Sequence, residues 1–211
     1  NRDMVIVFNG EIYNYKELRD ELIKKGHVFA NNADTEVLIH GYEEYGEELL
    51  TKLRGMFAFV IWDSKKKKLF AARDFFGIKP FYYALVDGQL VFASEIKSIL
   101  KYTPYKKEMN RDALENYLTF QYSVLPETFF KGIYKLMPSH CLTFENGRLD
   151  IKRYWEPVFE PDENTGLPEM VDRIDSAMQD SIKMHKVSDV EVGSFLSSGV
   201  DSSYVAACFN G

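Results

Sequence analysis

Two short stretches of the chain carry residue types that could do chemistry. The first is Asn9-Gly10, which follows the apolar run of residues 4–8 (MVIVF). That run predicts a buried strand, and Asn-Gly predicts a turn at its end. A glycine N–H beside an asparagine side-chain NH2 would supply the two neutral donors that an oxyanion hole requires. The dipeptide by itself nevertheless favours a plain strand-to-helix turn, because Asn-Gly is foremost a turn signal.

The second stretch is a run of small residues at 197–203 (SSGVDSS), between a predicted strand at 190–196 and a predicted helix through residues 204–207. A strand, a small-residue loop and a helix N-terminus together favour the binding of an anion, because the free N–H groups of the loop and the helix dipole point at the same place. The spacing is neither GxxxxGK[ST] nor GxGxxG. The serine hydroxyls could contact phosphate oxygens and Asp201 could hold Mg²⁺, but the layout supports helix capping equally well.

Helical and strand patterns alternate along the rest of the chain. An Asn14 cap with Glu17 predicts a first helix that ends at Gly26, and residues 31–34 predict the cap of a second helix through Tyr42. Short helices are predicted at residues 95–100 and after an Asn110 cap. Strands, joined by hairpin turns, are predicted at residues 56–62, 69–73, 81–86, 90–93, 141–144 and 149–154.

A change in composition predicts a domain boundary. Residues 156–168 are rich in Pro, Glu, Asp, Asn, Thr and Gly, which is typical of a linker. We therefore expect a first domain at residues 1–155, a linker at 156–168 and the start of a second domain at 169–211. An amphipathic helix at residues 170–182 precedes the strand and loop of this second part.

Charge and cysteine content exclude several classes of protein. The net charge of -6 and the pI near 5.3 argue against binding to nucleic acid. Cys141 and Cys208 lack CxxC spacing, so we predict no metal site and no disulfide. The longest apolar run, residues 56–62, is far shorter than the roughly 20 residues that span a bilayer. No signal peptide opens the chain, so we expect a cytoplasmic protein that binds no membrane.

Five motifs occur in the order seen in glutamine-hydrolysing asparagine synthetases, a family that the chain resembles over essentially its whole length. They are NGEIYN at residues 9–14, DTEV at 34–37, RGMFA at 54–58, RDFFGIKP at 73–80 and FASEIK at 92–97. Residues 197–202 (SSGVDS) resemble the pyrophosphatase loop of that family, Ser-Gly-Gly-x-Asp-Ser. The resemblance implies an α+β fold, an αββα sandwich of the N-terminal-nucleophile (class II glutamine amidotransferase) type, followed by the start of an α/β adenylating domain.

The resemblance also implies an activity, in which glutamine is hydrolysed to ammonia and aspartate is amidated through an aspartyl-adenylate. Asn9 and Gly10 would hold the oxyanion, Glu11 would line the glutamine pocket, and Asp34 would pair with the α-ammonium group or serve only as a helix cap. The partners would be the small molecules glutamine, aspartate and ATP with Mg²⁺, with no tightly bound cofactor. Whether the protein forms a homodimer stays open. The residues implied to contact ATP are Leu196, Ser197, Ser198, Gly199, Val200, Asp201 and Ser202.

Two departures from the family pattern matter. Family members use an N-terminal cysteine as nucleophile and an arginine to bind the carboxylate of glutamine. Both belong to an N-terminal portion that these 211 residues do not include. Neither Cys141 nor Cys208 is placed to substitute for that cysteine. We therefore expect a piece of a longer protein that is inactive alone as a glutaminase. Ser198 replaces the middle glycine of the loop, at a position where we expect unusual backbone angles or a close approach of phosphate. Two alternatives stay open: amidation of a different carboxylate, as in β-lactam-forming relatives, and a non-catalytic binding domain.

Overall fold

The computed structural model describes residues 3–123, 125–188 and 190–210, and the chain divides into two compact units, Asn1–Glu156 and Pro157–Gly211. The strands of the first unit are β1 Met4–Ile12, β2 Gly55–Asp63, β3 Lys68–Arg73, β4 Tyr82–Val86, β5 Gln89–Ala93, β6 Ile133–Lys135, β7 His140–Glu145 and β8 Arg148–Arg153. Its helices are α1 Tyr15–Lys24, α2 Asp34–Tyr45, a 3₁₀ turn at Gly46–Glu48, α3 Leu49–Lys52, α4 Ile96–Ile99 and α5 Arg111–Phe120.

Within the described residues, the strands of the first unit form two antiparallel sheets. The larger has five strands in the order β1-β2-β3-β7-β8, and the smaller has three in the order β5-β4-β6. The hairpin turns at 87–88 and 146–147 have positive φ angles at both central residues, as two-residue type I′ turns require. These hairpins confirm the sequence prediction.

Alternating side chains of the larger sheet separate two hydrophobic cores. On one face, Phe57, Phe59 and Ile61 of β2 are buried against α1 and α2. On the other face, Ala58 and Val60 pack with residues of the smaller sheet. Each large side chain that is fully buried contributes about 1.5–3 kcal/mol, so both faces hold the sheet in place.

The smaller sheet has a helix on its outer face. Ala84 of β4 and Ile133 of β6 are buried against Ile99 of α4. The layers therefore run helix, sheet, sheet, helix, and the predicted αββα sandwich is confirmed.

Strand β1 is longer than predicted, and the expected turn at Asn9-Gly10 is wrong. The strand continues to Ile12, with Asn9 opposite Ala58, Gly10 opposite Phe57 and Ile12 opposite Gly55. β2 offers a pairing partner at every one of these positions, and that pairing overrides the turn preference of the dipeptide.

The predicted capping of α1 by Asn14 is also wrong, because its side chain is used elsewhere. The Asn14 side-chain oxygen accepts a hydrogen bond from the Arg54 N–H at 2.9 Å, and its NH2 group donates to the Lys52 carbonyl at 2.9 Å. Asn14 thus connects the start of α1 to the segment that precedes β2. Asn110 does cap its helix, since its side chain accepts from the Ala113 N–H.

The second unit contains helices α6 Leu167–His185 and α7 Val200–Asn210. The strand predicted at residues 190–196 is wrong: the described residues there form no strand, and Phe195 is 99% exposed. A buried parallel strand needs neighbouring strands to satisfy its backbone, and the described part of this unit holds none. Across the described residues of the whole chain, the helices lack the combination of length and apolar character that crossing a membrane requires.

Candidate active site

The Gly10 N–H points away from β2, as the hydrogen bonds of its opposite residue show. Phe57 donates its N–H to Asp74 Oδ2 at 3.2 Å and accepts from the Asp74 N–H at 2.8 Å. Because the N–H and C=O of a strand residue point to the same side, Phe57 bonds toward β3, and Gly10 opposite it belongs to a non-hydrogen-bonded pair. The Gly10 N–H is therefore directed to the outer edge of β1.

Ile12 lies two residues further along β1 and points the same way. Its N–H donates to Asp34 Oδ2 at 3.1 Å. The other carboxylate oxygen, Oδ1, accepts from the Thr35 hydroxyl at 3.3 Å. A carboxylate has about four acceptor sites, so Asp34 retains capacity for another donor. The structure thus places Asp34, predicted to bind glutamine, on the same edge of β1 as Gly10.

Glycine is required at position 10 because the backbones of β1 and β2 come close together there. A Cβ atom at Gly10 would lie 2.2 Å from the Met56 carbonyl oxygen and 2.7 Å from Phe57 Cα. Gly55, on the partner strand, has the same constraint, since its Cβ would lie 2.2 Å from the Glu11 carbonyl oxygen. Glycine at this position therefore allows the two strands to pack closely, apart from any role of its outward-directed N–H.

The Asn9 side chain extends toward the smaller sheet. Its NH2 group donates to the hydroxyl of Ser94 at 3.2 Å, and Ser94 directly follows β5. One of the two NH2 hydrogens makes this bond, which leaves the second for another acceptor. Glu11 alternates onto the same face as Asn9. Tyr13 directly follows β1. Burial, followed by the nearby charges of Glu11 and Asp74, raises the pKa of Tyr13, so its hydroxyl stays neutral.

The loop that follows β3 fixes the orientation of Phe57 and hence of Gly10. Asp74 is only 1% exposed, and its carboxylate accepts N–H groups from Phe57, Phe76, Ile78 and Lys79 at 2.9–3.2 Å. The Arg73 guanidinium donates to the carbonyls of Gly77, Lys79 and Leu136 at 2.6–2.7 Å. These positioning roles of Arg73, Asp74 and Ser94 were missed in the sequence, although all three lie in the motifs quoted there.

Cys141, the cysteine of the first unit, lies away from this edge. Cys141 is 1% exposed in β7, three strand spacings or about 14 Å from β1. Burial, with a smaller contribution from Glu47, raises the pKa of the Cys141 thiol to about 11, so it is not a thiolate at neutral pH. Cys208 belongs to α7 in the second unit.

The small-residue loop of the second unit is held by its own hydroxyls. Ser202 Oγ accepts from the Ser197 N–H at 3.3 Å and from the Ser197 hydroxyl at 3.1 Å, and the Ser202 hydroxyl lies 3.1 Å from the Gly199 carbonyl. The Ser203 N–H donates to the same carbonyl at 3.0 Å, which begins α7. Ser198 has a φ of +63°, a left-handed conformation that a side chain disfavours.

Loop hydroxyls at the start of a helix match the donors that phosphate oxygens accept. Asp201, in the first turn of α7, is exposed to solvent and adds a carboxylate of the kind that Mg²⁺ prefers. Leu196 and Val200, also predicted to contact ATP, are 65% and 86% exposed. The residues of this loop are thus compatible with binding a nucleoside triphosphate and its Mg²⁺.

Comparison with known proteins gives two family matches. The glutamine amidotransferase domain family matches residues 1–155, and the asparagine synthase family matches residues 173–210. Asparagine synthetase [glutamine-hydrolyzing] 1 of Bacillus subtilis is 44% identical over 96% of this chain and 32% of its own length. A putative asparagine synthetase [glutamine-hydrolyzing] of Mycobacterium bovis is 44% identical with the same coverage. The chain thus spans about a third of the length of these relatives.

A solved structure with the same fold is the glutamine phosphoribosylpyrophosphate amidotransferase of B. subtilis. It superimposes with a TM-score of 0.51 at 18% sequence identity, over 98% of this chain and 44% of that one. At this identity the likeness supports the fold alone.

Proposed function

This chain belongs to the family of glutamine amidotransferase domains over residues 1–155, and on that premise we propose that it binds glutamine for hydrolysis at the outer edge of β1. One observation carries the proposal: the Gly10 N–H and the Asp34 carboxylate lie on the same edge. Residues two apart in a strand are about 7 Å apart. Gly10 and Ile12 are therefore about 7 Å apart, and the Asp34 carboxylate lies next to the Ile12 N–H. This spacing is of the same order as the separation of the side-chain amide and the α-ammonium group in an extended glutamine.

The reaction that we propose begins with attack by a thiolate on the amide carbon of glutamine. The tetrahedral intermediate carries its negative charge on the former carbonyl oxygen. The Gly10 N–H and the remaining Asn9 NH2 hydrogen stabilise that charge, because both are neutral donors already held in place. The intermediate expels ammonia and leaves a thioester, which water hydrolyses to glutamate and the free thiol.

Asp34 holds the substrate by its α-ammonium group in this proposal, and Glu11 lines the pocket beside Asn9. We propose that the thiol is supplied from outside these 211 residues, as the family resemblance implies, since Cys141 is buried and far from the edge. The chain alone therefore hydrolyses no glutamine. Ser94 is a positioning residue, because it bonds to the Asn9 side chain rather than to substrate.

The second unit is proposed to begin an ATP-dependent synthetase domain, with residues 156–168 as the linker. The similarity of residues 173–210 to asparagine synthase supports this assignment. Aspartate would attack the α-phosphate of ATP with loss of pyrophosphate, and ammonia would displace AMP from the aspartyl-adenylate to give asparagine. The loop from Leu196 to Ser202 would bind the phosphates, with Asp201 near the Mg²⁺ that accompanies ATP. We place this reaction in the cytoplasm.

The experiment that tests the proposal uses the protein encoded by the full open reading frame. It is incubated with glutamine labelled with ¹⁵N at the side-chain amide, together with aspartate, ATP and Mg²⁺. We expect labelled asparagine, glutamate and AMP in equal amounts. Glutamate without any aspartate-dependent AMP would reject asparagine synthesis but retain the glutaminase, whereas no glutamate would reject the glutaminase itself. AMP release with another carboxylic acid in place of aspartate would favour the related amidotransferases.

A further inference from the structure

Two imidazoles and a carboxylate converge where the chain after α1 packs against α2. His27 Nδ1 and His40 Nδ1 face each other at 3.2 Å. Glu43 Oε2 lies 2.9 Å from His40 Nδ1 and 3.8 Å from His27 Nδ1. The three side chains are only 16%, 11% and 20% exposed, so their positions are defined by the surrounding protein.

Local structure explains how these residues come together. The end of α1 is a Schellman motif, in which the His27 N–H donates to the Leu22 carbonyl and the Gly26 N–H donates to the Ile23 carbonyl. Gly26 takes the left-handed conformation that this motif needs, with a φ of +97°. His40 and Glu43 are three residues apart on α2 and so share one face of that helix. The packing of α1 on α2 then brings His27 to this face.

The spacing of the three atoms matches one face of a tetrahedral metal site. Zinc bonds to imidazole nitrogen and carboxylate oxygen at about 2.0–2.2 Å. Tetrahedral angles then place ligand atoms about 3.3–3.5 Å apart. The three observed distances, 3.2, 2.9 and 3.8 Å, have a mean of about 3.3 Å. A cation can therefore be placed between these atoms with adjustments of a few tenths of an ångström.

The far side of each imidazole faces a further carboxylate. His27 Nε2 lies 3.2 Å from Glu44 Oε2, and His40 Nε2 lies 3.6 Å from Glu36 Oε1. Histidines that bind a metal through one nitrogen usually donate the other N–H to a carboxylate or carbonyl, which fixes the tautomer. His27 has this arrangement at hydrogen-bond distance, and His40 has a carboxylate on the same side of its ring at a longer distance. This observation is independent of the spacing of the three inner atoms.

The charge around the pair also favours a divalent cation. Among the described residues, three carboxylates lie within 4 Å of the two imidazoles, from Glu36, Glu43 and Glu44. The ammonium group of Lys25 pairs with Glu44 at 2.8 Å and offsets one of these charges. Lys65 also interacts electrostatically with Glu43, but its closer partner is Asp3. With both imidazoles neutral, the carboxylates next to them still outnumber the paired ammonium groups, which favours a cation between them.

We propose that His27, His40 and Glu43 bind a zinc ion, with a solvent molecule in the fourth position. Two nitrogens and one oxygen suit Zn²⁺ and other late first-row ions rather than Mg²⁺ or Ca²⁺, which prefer oxygen ligands. The ion links the end of α1 to the middle of α2 and so stabilises the helical layer that covers the five-stranded sheet. The sequence prediction of no metal site rested on cysteine spacing alone and did not consider these residues.

Direct metal binding by the chain of 211 residues tests the proposal. The protein, with any affinity tag removed, is stripped with a chelator and titrated with Zn²⁺ in a calorimeter. We expect saturable binding of one ion per chain and a rise in the unfolding temperature of the first unit, measured by tryptophan fluorescence. His27→Gln and His40→Gln should each weaken binding by more than about 100-fold, since loss of an outer-shell partner alone costs about 10–100-fold. Glu44→Gln, which removes such a partner, should weaken binding by about 10-fold.

His185→Gln is the matched control, because His185 is a histidine of the second unit, and it should bind Zn²⁺ like the unmodified chain. Absence of saturable binding by the unmodified chain would overturn the proposal. Equal affinity in folded His27→Gln and His40→Gln variants would also overturn it. If these variants do not fold, Co²⁺ bound to the unmodified chain decides. Visible bands typical of tetrahedral nitrogen and oxygen ligands support the site, whereas weak octahedral bands or a sulfur charge-transfer band reject it.

Discussion

Substitution of Gly10 by alanine tests the close approach of β1 and β2, which underlies the description of the candidate site. The added Cβ would lie 2.2 Å from the Met56 carbonyl oxygen and 2.7 Å from Phe57 Cα. Relief to an ordinary contact requires a shift of about 1 Å in the backbone of β2. β2 is the second strand of a five-stranded sheet, packed on both faces, so it cannot shift without disturbing its neighbours. We expect Gly10→Ala to destabilise the first unit by about 3 kcal/mol, at the upper end of the usual cost of overpacking.

Urea unfolding monitored by tryptophan fluorescence measures this cost, since the two tryptophans of the chain, Trp62 and Trp155, both belong to the first unit. Gly88→Ala is the control, because Gly88 has a φ of +76° but open space around its Cβ position. That variant should lose only about 1 kcal/mol, from the backbone alone. If Gly10→Ala were no less stable than Gly88→Ala, the strands would not be as close as described, and the pairing of Gly10 with Phe57, from which the direction of the Gly10 N–H follows, would lose support.

Three further predictions concern the other residues discussed above. Asp34→Asn keeps an acceptor for the Ile12 N–H and should cost about 1 kcal/mol in stability, yet raise the KM for glutamine of the full-length enzyme by about 10–100-fold; an unchanged KM would refute the ammonium contact. Ser198→Gly removes the side chain from a left-handed position and should stabilise the fold of the second unit by about 1 kcal/mol; thermal unfolding of the full-length protein followed by circular dichroism measures it, and a loss of stability would contradict the strain. The Cys141 thiol has a pKa raised from 9.0 to about 11 by burial, so it should resist alkylation at pH 8 until the protein unfolds. The neutral buried thiol stabilises the fold below pH 9, and the free energy of unfolding should fall by about 2–3 kcal/mol as the pH rises from 9 toward 11. Cys141→Ala should lack that part of the pH dependence.

Local signals predicted most of the first unit, because its turns and periodicities agree with its packing. Asp87-Gly88 and Asn146-Gly147 form the expected hairpin turns. Asn9-Gly10, a dipeptide of the same kind, continues a strand instead. The difference lies in pairing with β2, a segment more than 40 residues away in the chain, which no local signal at residue 10 reveals.

The strand predicted at residues 190–196 failed for a related reason. Its apolar run satisfies the pattern of a buried strand, but a strand forms only where neighbouring strands accept its hydrogen bonds. Within the described residues of the second unit, helices α6 and α7 are the regular elements. Composition alone does not indicate whether such neighbours are present.

The sequence named candidate site residues but did not indicate how they are arranged. Asn9, Gly10 and Asp34 were named from residue type and motif. The direction of the Gly10 N–H depends on Asp74, and the orientation of Asn9 depends on Ser94, both distant in sequence. The histidine cluster had a partial signal, the three-residue spacing of His40 and Glu43 on one helix. His27 joins them only through the packing of α1 on α2.

The rate of glutamine hydrolysis in an Asn9→Ala variant of the full-length protein tests the central claim most directly. Loss of an oxyanion donor should reduce kcat by about 10²–10³-fold while KM stays within about threefold, because the donor acts mainly in the transition state. Ser94→Ala removes the same Asn9 to Ser94 hydrogen bond but keeps the Asn9 amide, so its kcat should fall by no more than about tenfold. Equal losses in the two variants, or an unchanged kcat in Asn9→Ala, would contradict an oxyanion hole at Asn9 and Gly10.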